Sequence, residues 1–133
     1  MRDPTVIQAK RFGIFSCRCN TPLLSVAKQM ADEDISALVV VDDDGFLDGI
    51  ITRMDLLRAQ KAKDTWSEEP VKDWMTGEVV TVSPKDRLSY VAKLLLENQI
   101  HRVVAVQEES GKQRPVAVIS AADLIYHLAK EIY

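Results

Sequence analysis

The sequence is short of several things, and each shortage excludes something. There are two cysteines in 133 residues, Cys17 and Cys19, with one residue between them. Two thiolates fall short of the usual four ligands of a structural zinc site, so they read as free, reduced thiols. Aromatic residues make up 6%, so the core must be built mainly from aliphatic side chains, with Trp66 and Trp74 near the middle of the chain. There is no Gly-rich phosphate loop, no nucleophile with a base at a recognisable spacing, and no carboxylate and histidine cluster suited to a metal. Catalysis is therefore unsupported, and neither a metal nor a required cofactor is expected. No run approaches the roughly 20 apolar residues that span a bilayer, and the opening MRDPTVIQAK lacks a signal peptide's apolar core, which implies a cytoplasmic chain without a membrane partner. Charge of one sign is scarce too. Seventeen Lys and Arg against 20 Asp and Glu give a net charge of −3, with no basic stripe to draw the chain onto nucleic acid.

What is present is a repeat. Shifted by 65, the stretch from Val6 to Val41 lies over Val71 to Val106 without a gap. Leu23, Val26, Ala27 and Lys28 then meet Leu88, Val91, Ala92 and Lys93, and Ile35, Val39 and Val41 meet Ile100, Val104 and Val106. Beyond a longer turn in the second copy the shift becomes 68, and the stretch from Gly49 to Leu56 overlies Ala117 to Leu124. The chain is thus two units of roughly 60 residues, a length at which neither is expected to bury enough surface alone. They divide as 1–66 and 67–133, joined near AKDTWSEEP, and are expected to pack together as one domain.

Each copy reads alike. A short strand, Ile14 to Cys17 or Val79 to Val82, precedes a turn with Pro22 or Pro84. Helical spacing follows through Leu23, Val26, Ala27 and Met30, or Leu88, Val91, Ala92 and Leu95. Two β-branched strands come next, LVVV with GII and VVAV with AVI, and a last helix begins at Thr52 or Ser120. The expected fold class is α/β (α+β), in the order strand, helix, strand, strand, helix, with sheets buried on both faces.

The segments GIITRMD and AVISAAD, each behind an apolar strand pair and an amphipathic helix, resemble the closing motif of the cystathionine-β-synthase (CBS) domain. The opening VKDWMTGEVVTVSP is similar to that family's usual start, and the duplicated whole resembles a stand-alone CBS pair, or Bateman module. The resemblance implies a pseudo-twofold domain with clefts between the repeats for AMP, ADP, ATP or S-adenosylmethionine. It also implies a regulatory, energy-sensing role exerted on a partner protein that the sequence does not name.

Thr52 with Asp55, and Ser120 with Asp123, place a carboxylate three residues after a hydroxyl at a helix start. That is a helix cap in its own right. The resemblance gives the same residues a second role: the aspartate accepts from two ribose hydroxyls while the hydroxyl and the helix N–H groups face a phosphate. The pair His101 and Arg102 resembles the phosphate-contacting His-Arg of the nucleotide-binding repeats of AMP-activated protein kinase, and the first copy has Ser36 and Ala37 there. By position, backbone groups and apolar walls for adenine fall to Phe15 and Ser16, or Val80 and Thr81. His127 reads as a surface or interface residue. The helices carry surplus apolar residues, among them Leu56, Leu57, Leu94, Leu95, Leu96, Ile125 and Leu128, and CBS pairs commonly dimerise through these helices, so a homodimer is expected. The alternative is a structural or dimerisation module that has lost ligand binding, a reading consistent with Ala37 and with Ala117 in place of a glycine.

Overall fold

A computed structural model describes residues 3–131. The helices are α1 (Val6–Ala9), α2 (Leu23–Glu33), α3 (Arg53–Ala62), α4 (Leu88–Asn98) and α5 (Ala121–Glu131). The strands are β1 (Ser16–Cys17), β2 (Ala37–Val41), β3 (Leu47–Thr52), β4 (Thr81–Val82), β5 (Arg102–Glu109) and β6 (Lys112–Ser120), and two 3-10 turns lie between α3 and β4. Two three-stranded sheets result, ordered β1-β2-β3 and β4-β5-β6. In each, the first pair is parallel and the second antiparallel, with a register shift after Val40 in one and after its counterpart Ala105 in the other. The mixed α/β fold and its repeated element order follow the apolar periodicity directly. The first strand of each copy is shorter than the apolar run suggested, because only two residues pair with the neighbouring strand.

The helices end as the repeat dictates. Asp34 and Gln99 close α2 and α4 in the left-handed conformation, at φ 52° and 53°. The next residue's N–H, of Ile35 or Ile100, then reaches back to the carbonyl of Met30 or Leu95 at 3.1 Å. This closing turn satisfies carbonyls that the helix leaves open.

Packing groups the residues into two compact units, Phe15–Val79 and the segment up to Ile14 together with the chain from Val80 onward. Leu23, Val26, Met30, Leu38, Val40, Ile51, Leu56, Ala59 and Val71 form the core of the first. Val6, Ala9, Leu88, Val91, Leu95, Val103, Ala105, Ile119 and Leu124 dominate the core of the second. The other face of each sheet is covered as well, since Val39 and Val104 are fully buried.

Val6 and Val71 are counterparts under the repeat, and each fills the core of the copy that it does not precede. The N–H of Leu23 donates to the carbonyl of Glu69 at 2.9 Å, and the N–H of Val71 to that of Thr21 at 3.0 Å. In the other unit Leu88 donates to Pro4 at 3.0 Å, and Val6 to Asp86 at 2.8 Å. Each strap thereby satisfies a first-turn N–H of a helix that has no side-chain cap of its own. Asp3 adds to this by accepting from the N–H of Ser89 at 3.0 Å.

Gly49 is fixed by the same arrangement. Ile50 and Thr76 exchange backbone hydrogen bonds at 2.9 Å, and a Cβ on Gly49 would stand 2.6 Å from the Thr76 carbonyl oxygen. Ala117, in the matching place of β6, is buried at 1% exposure and accommodates its methyl group.

Candidate functional site

The strand-to-helix junctions bring the sequence-nominated polar residues together, once in each unit. In the second copy Arg102 opens β5 opposite Ser120 at the end of β6, and the N–H of Ala121 donates to the carbonyl of His101 at 2.9 Å. His101, Arg102, Ser120 and Asp123 therefore share one end of the sheet and the start of α5. In the first copy Ala37 faces Thr52, and the N–H of Arg53 donates to Ser36 at 3.1 Å. The backbone frames match; the side chains on them differ.

Both aspartates are buried, Asp55 at 4% and Asp123 at 7% exposure. Asp55 Oδ2 accepts from the backbone N–H of Thr52 at 2.8 Å and from its hydroxyl at 3.1 Å. Asp123 Oδ2 accepts from Ser120 at the same two distances. The capping role read from the spacing is thus met, and each hydroxyl donates to its aspartate. A buried carboxylate at this place is stabilised by these charge-assisted bonds and by the helix dipole.

The outer oxygen of each aspartate meets an arginine that sequence spacing had not assigned to it. Arg58 donates to Asp55 Oδ1 at 2.6 Å from one turn along the same helix, with a side chain 61% exposed. Arg11 donates through Nε to Asp123 Oδ1 at 2.8 Å, with a side chain 25% exposed. The first copy has Ala37 at the place of Arg102, and the cation on its aspartate comes from α3. The three-residue spacing of Asp55 and Arg58 was a readable signal. Arg11 gave none, being 112 positions from Asp123.

Phe15 and Val80 pack their side chains on the two cores, and their carbonyls accept from Val39 and Val104 at 3.1 and 3.2 Å. Hydrogen-bonding direction alternates along a strand, so Ser16 and Thr81 turn their backbone groups to the outer edge of each sheet. Thr81 Oγ1 also receives a 3.5 Å bond from Gln113. Cys17 and Cys19 are both free and half-buried, and burial pushes the Cys17 thiol up to about 11. That makes it a packing group rather than a nucleophile. His127 bonds its Nε2 to the Ala9 carbonyl at 2.7 Å, so its ring ties α5 to the strap. Among the described residues no three His, Cys, Asp or Glu side chains are grouped to hold a metal ion, and no helix is long and apolar enough to cross a membrane.

The CBS domain model matches the chain twice, over residues 9–62 and 71–130. An uncharacterised protein of Methanocaldococcus jannaschii, MJ1404, is 30% identical over 112 residues, which is 84% of this chain and 26% of that protein. The chain thus spans about a quarter of that relative's length. The CBS domain of a CBS domain-containing membrane protein from Sphaerobacter thermophilus superimposes with a TM-score of 0.80 at 26% identity, covering 94% of this chain and 88% of that one. The CBS domain pair of protein MJ0100, in complex with 5′-methylthioadenosine and S-adenosyl-L-methionine, gives 0.85 at 23% identity and covers 96% and 98%. Two family matches in tandem, on a fold shared with solved CBS pairs, coincide with the internal repeat and with both helix-capping aspartates: the chain belongs to the CBS domain family.

Proposed function

We propose that the chain is a non-catalytic regulatory module that takes adenosine-containing ligands at the starts of α3 and α5 and relays their presence to a separate partner protein. The observation that carries this reading is the recurrence of a buried aspartate beside a helix start, in both units and with the same bonds. A carboxylate accepts only, and a ribose offers a pair of donors. Helix N–H groups, with His101 and Arg102 in the second unit, suit a phosphate. The two small molecules in the MJ0100 complex both contain adenosine, which supports AMP, ADP, ATP or S-adenosylmethionine as the ligands, with no further cofactor. Leu57, Leu96, Ile125 and Leu128 are each at least half exposed, an apolar surplus that a second copy in a cytoplasmic homodimer covers. A monomer in sedimentation at micromolar concentration overturns that part.

A structural module without ligand is favoured by one specific observation, the arginine on the outer oxygen of each aspartate. Calorimetry and thermal shift with AMP, ADP, ATP and S-adenosylmethionine separate the readings, because a ligand of the folded state alone raises the melting temperature. At least one should bind well below about 1 mM, and Asp123→Ala or Arg102→Ala should weaken it by about tenfold or more. Absence of binding in the whole panel leaves the structural reading.

A further inference from the structure

The acceptor capacity of Asp123 is nearly used up within the protein. An ionised carboxylate offers about four lone-pair directions. Ser120 takes two on Oδ2 through its N–H and hydroxyl, and Arg11 takes one on Oδ1. One direction remains, enough for a single hydroxyl; a ribose diol has two.

Arg11 is held in place from several sides. Its guanidinium carbon stands 4.4 Å from the ring centroid of Tyr126 and 4.9 Å from that of Phe12. Tyr126 lies three residues after Asp123, on the neighbouring position of α5, so one side chain bridges a carboxylate and an aromatic face. Two residues earlier the Ala9 carbonyl meets His127, and Val6 and Ala9 are buried in the core beneath α5. Arg58 on Asp55 is a contrast: it belongs to the same helix, is mostly exposed and can swing into water. Arg11, less exposed and stacked on Tyr126, is the more firmly held of the two.

We propose that Arg11 is a built-in occupant of the ribose position at Asp123. A ribose diol binds there only in exchange for Arg11, and the exchange releases residues 9–12 from α5. This rests on the reading of the aspartates as ribose acceptors and adds to it a gate and an output. Ligand occupancy becomes a change in the attachment of the N-terminal strap, the kind of two-state element through which binding energy shifts a population.

The test compares adenosine with 2′-deoxyadenosine in the full chain carrying Asp55→Asn, so that titration reports the second unit. Arg11→Ala should tighten adenosine about tenfold, the size expected for removing a competing charge-assisted bond, and leave 2′-deoxyadenosine within about twofold. Arg11→Lys, which restores a cation, should return the adenosine affinity toward the parent value. In the parent, saturating adenosine should accelerate amide exchange at residues 9–12, and Arg11→Ala alone should do the same without ligand. Unchanged or weaker adenosine binding in Arg11→Ala overturns the gate while leaving the ribose reading intact. Failure of adenosine to bind either protein overturns both.

Discussion

The two units of this protein have one architecture and are tied shut differently. In the first, the strap around Val71 continues through Trp74 and Met75, both packed on the core, and crosses Gly49 at Thr76. In the second, the strap around Val6 ends in Arg11 and fastens to Asp123 by an ion pair. Both straps pair backbone to backbone at the helix start they cover; beyond that, the first ends in a further backbone pairing and the second in an ion pair. A backbone closure depends on a missing side chain and resists change, whereas a charged closure is open to competition from another donor. The difference teaches that duplicated sequence reproduces a frame more faithfully than it reproduces the function placed on it.

Substitutions at matched positions probe this contrast. Gly49→Ala should have the largest effect, lowering the unfolding free energy by about 3 kcal/mol in urea titration, because its methyl group meets a backbone oxygen that cannot turn aside. Val6→Ala and Val71→Ala should each cost about 2 kcal/mol, as both valines are fully buried. Amide exchange should place the damage in the copy each strap covers, Val6→Ala in α4 and Val71→Ala in α2. If Val6→Ala loosens α2 instead, the assignment of straps fails. Ala117→Gly should cost only about 1 kcal/mol, the ordinary penalty of glycine in a strand; a loss as large as that of Gly49→Ala would erase the asymmetry.

Much of the frame was legible because it rests on periodic burial. The helices through Leu23 and Leu88, the strand runs LVVV and VVAV, and the capping pairs Thr52–Asp55 and Ser120–Asp123 are local patterns, and local patterns survive in a sequence. The left-handed helix ends at Asp34 and Gln99 were not legible, since neither is a glycine and only the closing bonds to Met30 and Leu95 reveal them. Ala117 reads as a departure from the family pattern in the sequence. In the structure it is Gly49 that needs a special explanation, and the crossing at Thr76 provides it. The arginines on the aspartates divide cleanly: Arg58 is one helical turn from Asp55, but Arg11 reaches Asp123 only because Val6 and Ala9 anchor the strap in that core. Pairings of that kind come from tertiary packing and leave no spacing to count.

The exchange of straps also changes what counts as an end. In an open array of repeats each unit covers its neighbour, and the terminal units need special caps to hide what no neighbour covers. Here the segment before the second copy covers the first, and the segment before the first covers the second, so the dependence of these two copies runs in a closed loop. Two copies are the smallest number for which such a loop exists. A cut at the sequence boundary between them would strip each half of the piece that completes it. The natural severable fragment is one that carries Phe15–Val79 intact.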